Sequence, residues 1–179
     1  KETGISIMRI GEKLDTGPVC NSYKINIMAD DNSETIAEKL SKLASEKILD
    51  NIDKILEDKI EFKEQNHKEA TYAAKIEKKE GQIEWRETAE KIIGKINGLY
   101  PSPGAFFVYN GERYKILKAS LALGSGKIGE VLDNYLEVGC GDKKSIKILE
   151  IQRQGKRPQN IGEFMLGSQI KKGSNLDNA

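Results

Sequence analysis

The chain has 179 residues, of which 37% are hydrophobic and 32% charged, and 29 Lys+Arg against 28 Asp+Glu leave a formal net charge of +1. That length allows one or two globular domains. No apolar run is long enough for a membrane-spanning helix, and no basic-then-apolar leader opens the chain, so a cytoplasmic protein is expected.

The first element is expected over Gly4–Ile10, where three isoleucines in seven residues suit a strand buried on both faces. Gly11-Glu12-Lys13 interrupts it, and Leu14-Asp15-Thr16-Gly17 follows, placing a carboxylate at the mouth of a core. Asp before Thr-Gly is also an ordinary turn residue, because its side chain can bond nearby backbone amides. Ser22–Met28 alternates with period two and reads as a second strand. Asp30-Asp31-Asn32-Ser33 is a helix-start cluster. Ile36, Leu40, Leu43, Ile48, Ile52, Ile55 and Leu56 then recur at helical spacing, as one long helix or two broken near residues 44–46, with the apolar face laid on the two strands. Residues 60–75 are polar and read as a linker with a short strand near 70–74. His67, the only histidine, lies in a polar run without Cys or His at metal spacing and reads as a solvated loop residue. Cys20 and Cys140 read as reduced thiols, and no metal site is expected.

Past a charged crossing at 75–81, Trp85 reads as a core anchor. A helix is predicted over 88–97, capped by Thr88 or Glu87, with Ala89, Ile92, Ile93 and Ile96 on its apolar face and Gly98 and Pro101 beyond it. Phe106 to Tyr109 and Glu112 to Leu117 flank Asn110-Gly111, the strongest short hairpin signal, since a type I′ turn needs two residues tolerant of positive φ. Phe106 and Phe107 read as core. Further strands are predicted near 129–131, 135–139 and 145–152. Together they point to a small closed barrel, with a final helix or turn over 160–166 and a frayed tail from 171.

The near-zero net charge hides an asymmetry. Residues 1–74 hold 11 Lys+Arg and 15 Asp+Glu, a net −4, whereas residues 75–172 hold 18 and 12, a net +6. A basic second half is a candidate surface for a polyanion. Lys115, Lys118, Lys147, Arg153 and Lys156 belong to that cationic set beside the residues singled out below.

Gly4, Ile7, Met8 and Leu14-Asp15-Thr16-Gly17 resemble the signature of formyltransferases that use 10-formyltetrahydrofolate. Ala73-Ala74-Lys75-Ile76, Gly81-Gln82-Ile83-Glu84-Trp85, Tyr100-Pro101-Ser102-Pro103-Gly104-Ala105 and Lys115-Ile116-Leu117-Lys118-Ala119 follow in order. The series, spanning nearly the whole chain, is similar to the methionyl-tRNA formyltransferase family. The resemblance implies an α/β segment, the C-terminal portion of a Rossmann-like catalytic domain (1–62), then a linker (63–80), a mostly β OB-like barrel (81–172) and a tail (173–179). It implies transfer of a formyl group from 10-formyltetrahydrofolate to the amino group of methionyl initiator tRNA, by a monomer, without metal.

Asp15 matches that family's catalytic aspartate. The Asn and His that share its work belong to an upstream segment that these 179 residues lack. Upstream residues are therefore expected, and the 179 residues alone are expected to be inactive. The resemblance assigns tRNA binding to the barrel, with Lys75, Lys78, Lys79, Arg113, Lys143, Lys144 and Arg157 as the candidate phosphate contacts. Two other readings stand beside it. One is a folate-dependent formyltransferase or hydrolase acting on an amino sugar or on the cofactor. The other is a non-enzymatic RNA-binding barrel.

Overall fold

In the computed structural model, which describes residues 1–177, the chain divides between Lys75 and Ile76 into two units. Unit 1 is a two-stranded antiparallel sheet with one long helix. β1 (Glu2–Met8) pairs with β2 (Val19–Asn26), from Glu2 opposite Asn26 to Met8 opposite Val19, with an irregularity at Ile7/Met8. α1 (Ser33–Leu56) is unbroken. Its start is fixed locally. The Asn32 side chain accepts from the Thr35 amide, and the Asn32 amide donates back to Thr35 Oγ1, each over 3.0 Å. Just before it, the buried Asp31 accepts from the Met28 amide at 2.9 Å, from Thr35 Oγ1 and from Lys39. The Lys39 ammonium, followed by the Met28 amide, holds the Asp31 carboxyl below its usual range.

Three expectations for unit 1 are corrected. β1 is not buried on both faces; its side chains alternate between exposed and half-buried. The join between α1 and the sheet is partly polar. Asn51 Nδ2 donates to Tyr23 Oη at 2.9 Å, and Asn21 Nδ2 donates to Asn51 Oδ1 at 3.0 Å. The fully buried residues described here are Gly17, Asp31 and Asn51, none with an apolar side chain, while Leu49 and Leu56 are exposed. A single pair of strands gives an isoleucine-rich segment only one neighbour, so alternation survives where full burial does not. The strand expected at 70–74 is also absent; a short 3-10 turn forms at His67–Glu69 instead. Lys63 pairs with Val19 through backbone bonds of 2.8 and 2.9 Å, so this part of the polar run is held on unit 1.

Unit 2 carries the hydrophobic core. α2 (Ala89–Leu99) starts at Thr88, whose Oγ1 accepts from the Lys91 amide. It buries Ala89, Ile92 and Ile96 completely. Gly98 does not end it: the helix runs to Leu99, and Pro101 follows the cap residue Tyr100. β3 (Ala105–Tyr109) and β4 (Glu112–Ala122) form the predicted hairpin, with Asn110 at φ 51° and Gly111 at φ 76°. β5 (Glu137–Gly139), β6 (Ser145–Arg153) and β7 (Gln159–Asn160) complete an antiparallel sheet ordered β3-β4-β6-β5. β5 and β7 both pair with β6, along successive stretches of it. Register shifts around Lys118 interrupt the β4–β6 ladder, the kind of bulge that bends a strand and curls a sheet.

Trp85, 1% exposed, sits in the core with Phe107, which stacks on Tyr114 at 5.3 Å between centroids. The segment near 129–131 makes isolated bridges rather than a strand. α3 (Ile161–Gly167) is capped by Asn160 and buries Phe164. The tail is not frayed over its described part. Leu176 is buried, and backbone bonds join Val131 to Gly173 and Ser174 and Gly129 to Leu176. Residues 178–179 of the expected tail lie outside the described residues.

Candidate functional site

Asp15 lies in the loop between β1 and β2. The loop is closed by the Arg9 amide donating to Pro18 O at 3.0 Å and by Thr16 Oγ1 donating to Lys13 O at 2.9 Å. Gly17 passes so close to Arg9 O that a Cβ there would sit 1.8 Å from it, so glycine is required at that position. Asp15 itself has φ 55°, a left-handed conformation that Asp tolerates better than most residues. From the other side Gln65 Nε2 donates to Asp15 O at 2.9 Å and to Gly17 O at 2.7 Å. The loop is thus held through its backbone, and the carboxylate is left without a hydrogen-bond partner among the described residues. It is exposed, as is Leu14 at 90%, so the expected core mouth is corrected to an open rim.

That rim borders a cleft of about 1280 Å³, which Asn21, Ser22 and His67 also line. Asp15 and His67, far apart in sequence, therefore share one cleft, which no spacing rule indicates. The sequence carried no sign of Gln65 either, because its role is to bond carbonyls fifty and forty-eight residues away.

The cationic candidates divide. Lys75 ends unit 1 and is exposed. In unit 2, Lys79 is paired with Glu77 at 2.7 Å. Lys144 lies 3.3 Å from Glu90 and 4.0 Å from Asp142. Its neighbour Lys143 sits in the same exposed turn at φ 62°. Arg157 is exposed in the turn between β6 and β7. Lys78 and Arg113 come together on the wall of a second cleft, which Lys115 and Arg153 also line. Here the sequence held a usable signal. A two-residue turn at Asn110-Gly111 fixes the register Val108–Arg113 and Phe106–Lys115, so Phe106, Arg113 and Lys115 share one hairpin face. Gln152 and Gln154, beside Lys115 and Arg113 on the neighbouring strand, had no such signal.

The family model described as "Formyl transferase, C-terminal domain" matches residues 75–169, and that described as "Formyl transferase" matches residues 1–52. The chain belongs to the formyl transferase family. It is 68% identical over 178 residues to a methionyl-tRNA formyltransferase of Pelagibacter ubique, covering 99% of this chain and 57% of that protein. A methionyl-tRNA formyltransferase of Caldanaerobacter subterraneus is 38% identical, over 98% of this chain and 58% of its own length. The chain thus spans between half and two thirds of these relatives. The fold is also that of HypX from Aquifex aeolicus, solved in complex with tetrahydrofolic acid: TM-score 0.71 and 17% identity, over 96% of this chain and 31% of HypX.

A folate-type donor presents a flat polar heterocycle, which a protein holds by burying it against unpaired donors and acceptors. Among the described residues of unit 1, no buried side-chain polar atom lacks a partner, and the Asp15 cleft is open. These residues do not by themselves cradle such a group.

Proposed function

We propose that this chain is part of a methionyl-tRNA formyltransferase, which transfers a formyl group from 10-formyltetrahydrofolate to the amino group of methionyl initiator tRNA. The observation that carries the reading is the 68% identity, across essentially all of these residues, to a methionyl-tRNA formyltransferase. In this reading residues 1–62 are the C-terminal portion of the catalytic domain, and 63–80 connect it to an OB-like barrel over 81–172. Curling of the five-stranded sheet and its two-residue hairpin support the barrel. The enzyme is cytoplasmic and monomeric.

Asp15 is the catalytic carboxylate. An ionised carboxylate only accepts hydrogen bonds, so its part is to hold a protonated partner or an ordered water beside the reacting amine. A loop pinned by Gln65 and Gly17 with its carboxylate left free supports that role. The tRNA is held through its phosphates by unit 2. Lys78 and Arg113, which carry no ion pair among the described residues, are the stronger contacts. Lys75, Lys143 and Arg157 contribute from the surface, and Lys79 and Lys144 contribute less because carboxylates already face them.

The test joins these residues to an upstream segment of a relative and offers 10-formyltetrahydrofolate with either methionyl initiator tRNA or a nucleotide-linked amino sugar. Formylation of the tRNA alone is expected. Formylation of the sugar alone would overturn the reading.

A further inference from the structure

A cleft of about 350 Å³ opens on unit 2 between the loop at Ser102–Pro103, the Phe106–Lys115 face of the hairpin and the turn after β6. Four cations line it, Lys78, Arg113, Lys115 and Arg153, and no carboxylate does. Their charges are not equally available. Arg153 is paired with Glu112, and Lys115 donates to Pro101 O at 3.3 Å. The Lys115 stem also lies against Gly104, where a Cβ would meet its Cδ at 2.6 Å, so the position of this side chain depends on glycine at 104.

The Arg113 guanidinium lies 3.7 Å from the centre of the Phe106 ring. One of its faces is covered, so the other face and its N–H edge remain for the cleft. A guanidinium held flat on an aromatic ring has already lost its rotational freedom, and it can stack a second plane and donate along its edge at once. Beside them on the neighbouring strand, Gln152 is the cross-strand partner of Lys115 and the Gln154 amide donates to Arg113 O; Gln152 Nε2 donates to Lys156 O at 2.9 Å, which leaves its carbonyl oxygen as an acceptor, and Gln154 is exposed.

A paired RNA stem presents convex rows of phosphate, which cations on a flat surface track well. It has no group to put into a concave pocket. A single nucleotide turned out of a stem does: a flat base, a base edge with donors and acceptors, and a phosphate. The cleft holds a partner for each, namely the guanidinium plane, the glutamine amides, and the ammonium groups of Lys78 and Lys115. We infer that this cleft of unit 2 binds one unpaired nucleotide of an RNA, with the base on Arg113 and its phosphate on Lys78 and Lys115. The inference rests on the reading of unit 2 as an RNA-binding module.

The test uses the 179-residue chain and two RNA duplexes of the same stem, one blunt and fully paired, the other carrying a single unpaired nucleotide. Binding is followed by fluorescence anisotropy over a salt series. The bulged duplex is expected to bind about 10-fold more tightly, the scale of one stacked base. Arg113→Lys keeps the charge and removes the plane. It should abolish the preference for the bulged duplex. Gln154→Ala, on an exposed turn where folding is not at stake, should reduce the preference several-fold. Lys143→Ala with Lys144→Ala should weaken both duplexes alike. Equal binding of the two duplexes by the parent chain, or a preference that survives Arg113→Lys, overturns the nucleotide cleft while leaving RNA binding standing. Failure to bind either duplex overturns the RNA reading of unit 2 and the cleft with it.

Discussion

Asp15 satisfies both readings that its surroundings allow. It occupies a left-handed turn position, and it presents a carboxylate that nothing in unit 1 neutralises. The readings separate by kinetics. In a protein completed to the length of its relatives, Asp15→Asn keeps the turn, since Asn tolerates the same φ, and removes the negative charge. Turnover should fall at least about 100-fold, the scale of a positioned acid–base group, with tRNA affinity little changed. Near-normal turnover would leave Asp15 as a turn residue only. A second residue-scale device is the chain Arg153–Glu112–Tyr114. Arg153, then the Tyr114 hydroxyl, holds the Glu112 carboxyl below its usual range. Burial first, and the Glu112 carboxylate second, push the Tyr114 hydroxyl up to about 12 from 10.0. Because the folded value lies above the unfolded one, neutral Tyr114 stabilises the fold fully below the unfolded value, and that stability is lost as pH rises toward the folded one. Tyr114→Phe removes this dependence. Melting of parent and variant across that alkaline window should show the parent's advantage shrinking; a constant gap would mean that Tyr114 ionises as freely folded as unfolded.

α1 and α2 both carry isoleucines at helical spacing, yet they differ in what that pattern meets. Ile92 and Ile96 of α2 are 0% exposed, whereas Ile48 and Leu56 of α1 are 39% and 75% exposed. Ile92→Ala should therefore cost about 2–5 kcal/mol, the usual range for a buried aliphatic truncated to Ala. Leu56→Ala should change stability by less than about 0.5 kcal/mol, as for surface sites. Denaturant unfolding followed by the fluorescence of Trp85 reads the first, and the far-ultraviolet helix signal reads the second. Comparable losses would show that the α1 face is covered in solution. The β3–β4 hairpin is the element whose consequences were most fully written in the chain. Its turn sets the register, and the register brings Arg113 and Lys115 beside Phe106.

At the scale of the molecule, the described apolar core belongs to unit 2, from Ile83 to Leu176. A polypeptide of residues 76–177 should fold alone with a cooperative heat-capacity peak. Residues 1–75 alone should melt gradually, since no apolar side chain described there is fully buried and hydrophobic burial is what makes unfolding cooperative. A sharp transition for 1–75 would contradict this. For the same reason the 179 residues by themselves should show no formyl transfer to methionyl-tRNA above a blank: the Asp15 cleft is open to water, and catalytic electrostatics need water excluded. Measurable formylation would count against it.

Whatever depends on neighbours a few residues apart was legible in the chain. The Asn32 and Thr88 caps, the Asn110-Gly111 turn, the apolar face of α2 and the Leu14–Gly17 motif all fall in this class, because caps, turns and helical faces are short-range. Which periodic faces are buried and which cations are free followed from long-range packing. Burial depends on what lies opposite, so β1 is half-exposed despite Ile5 and Ile7. A charge depends on its partner, so Lys79 and Lys144 are paired while Lys78 faces a cleft. Long-range ties followed the same logic: Gln65 on the Asp15 loop, and Leu176 folded into the core where a polar tail was expected to fray. Each joins residues whose proximity arises only once the chain has closed on itself.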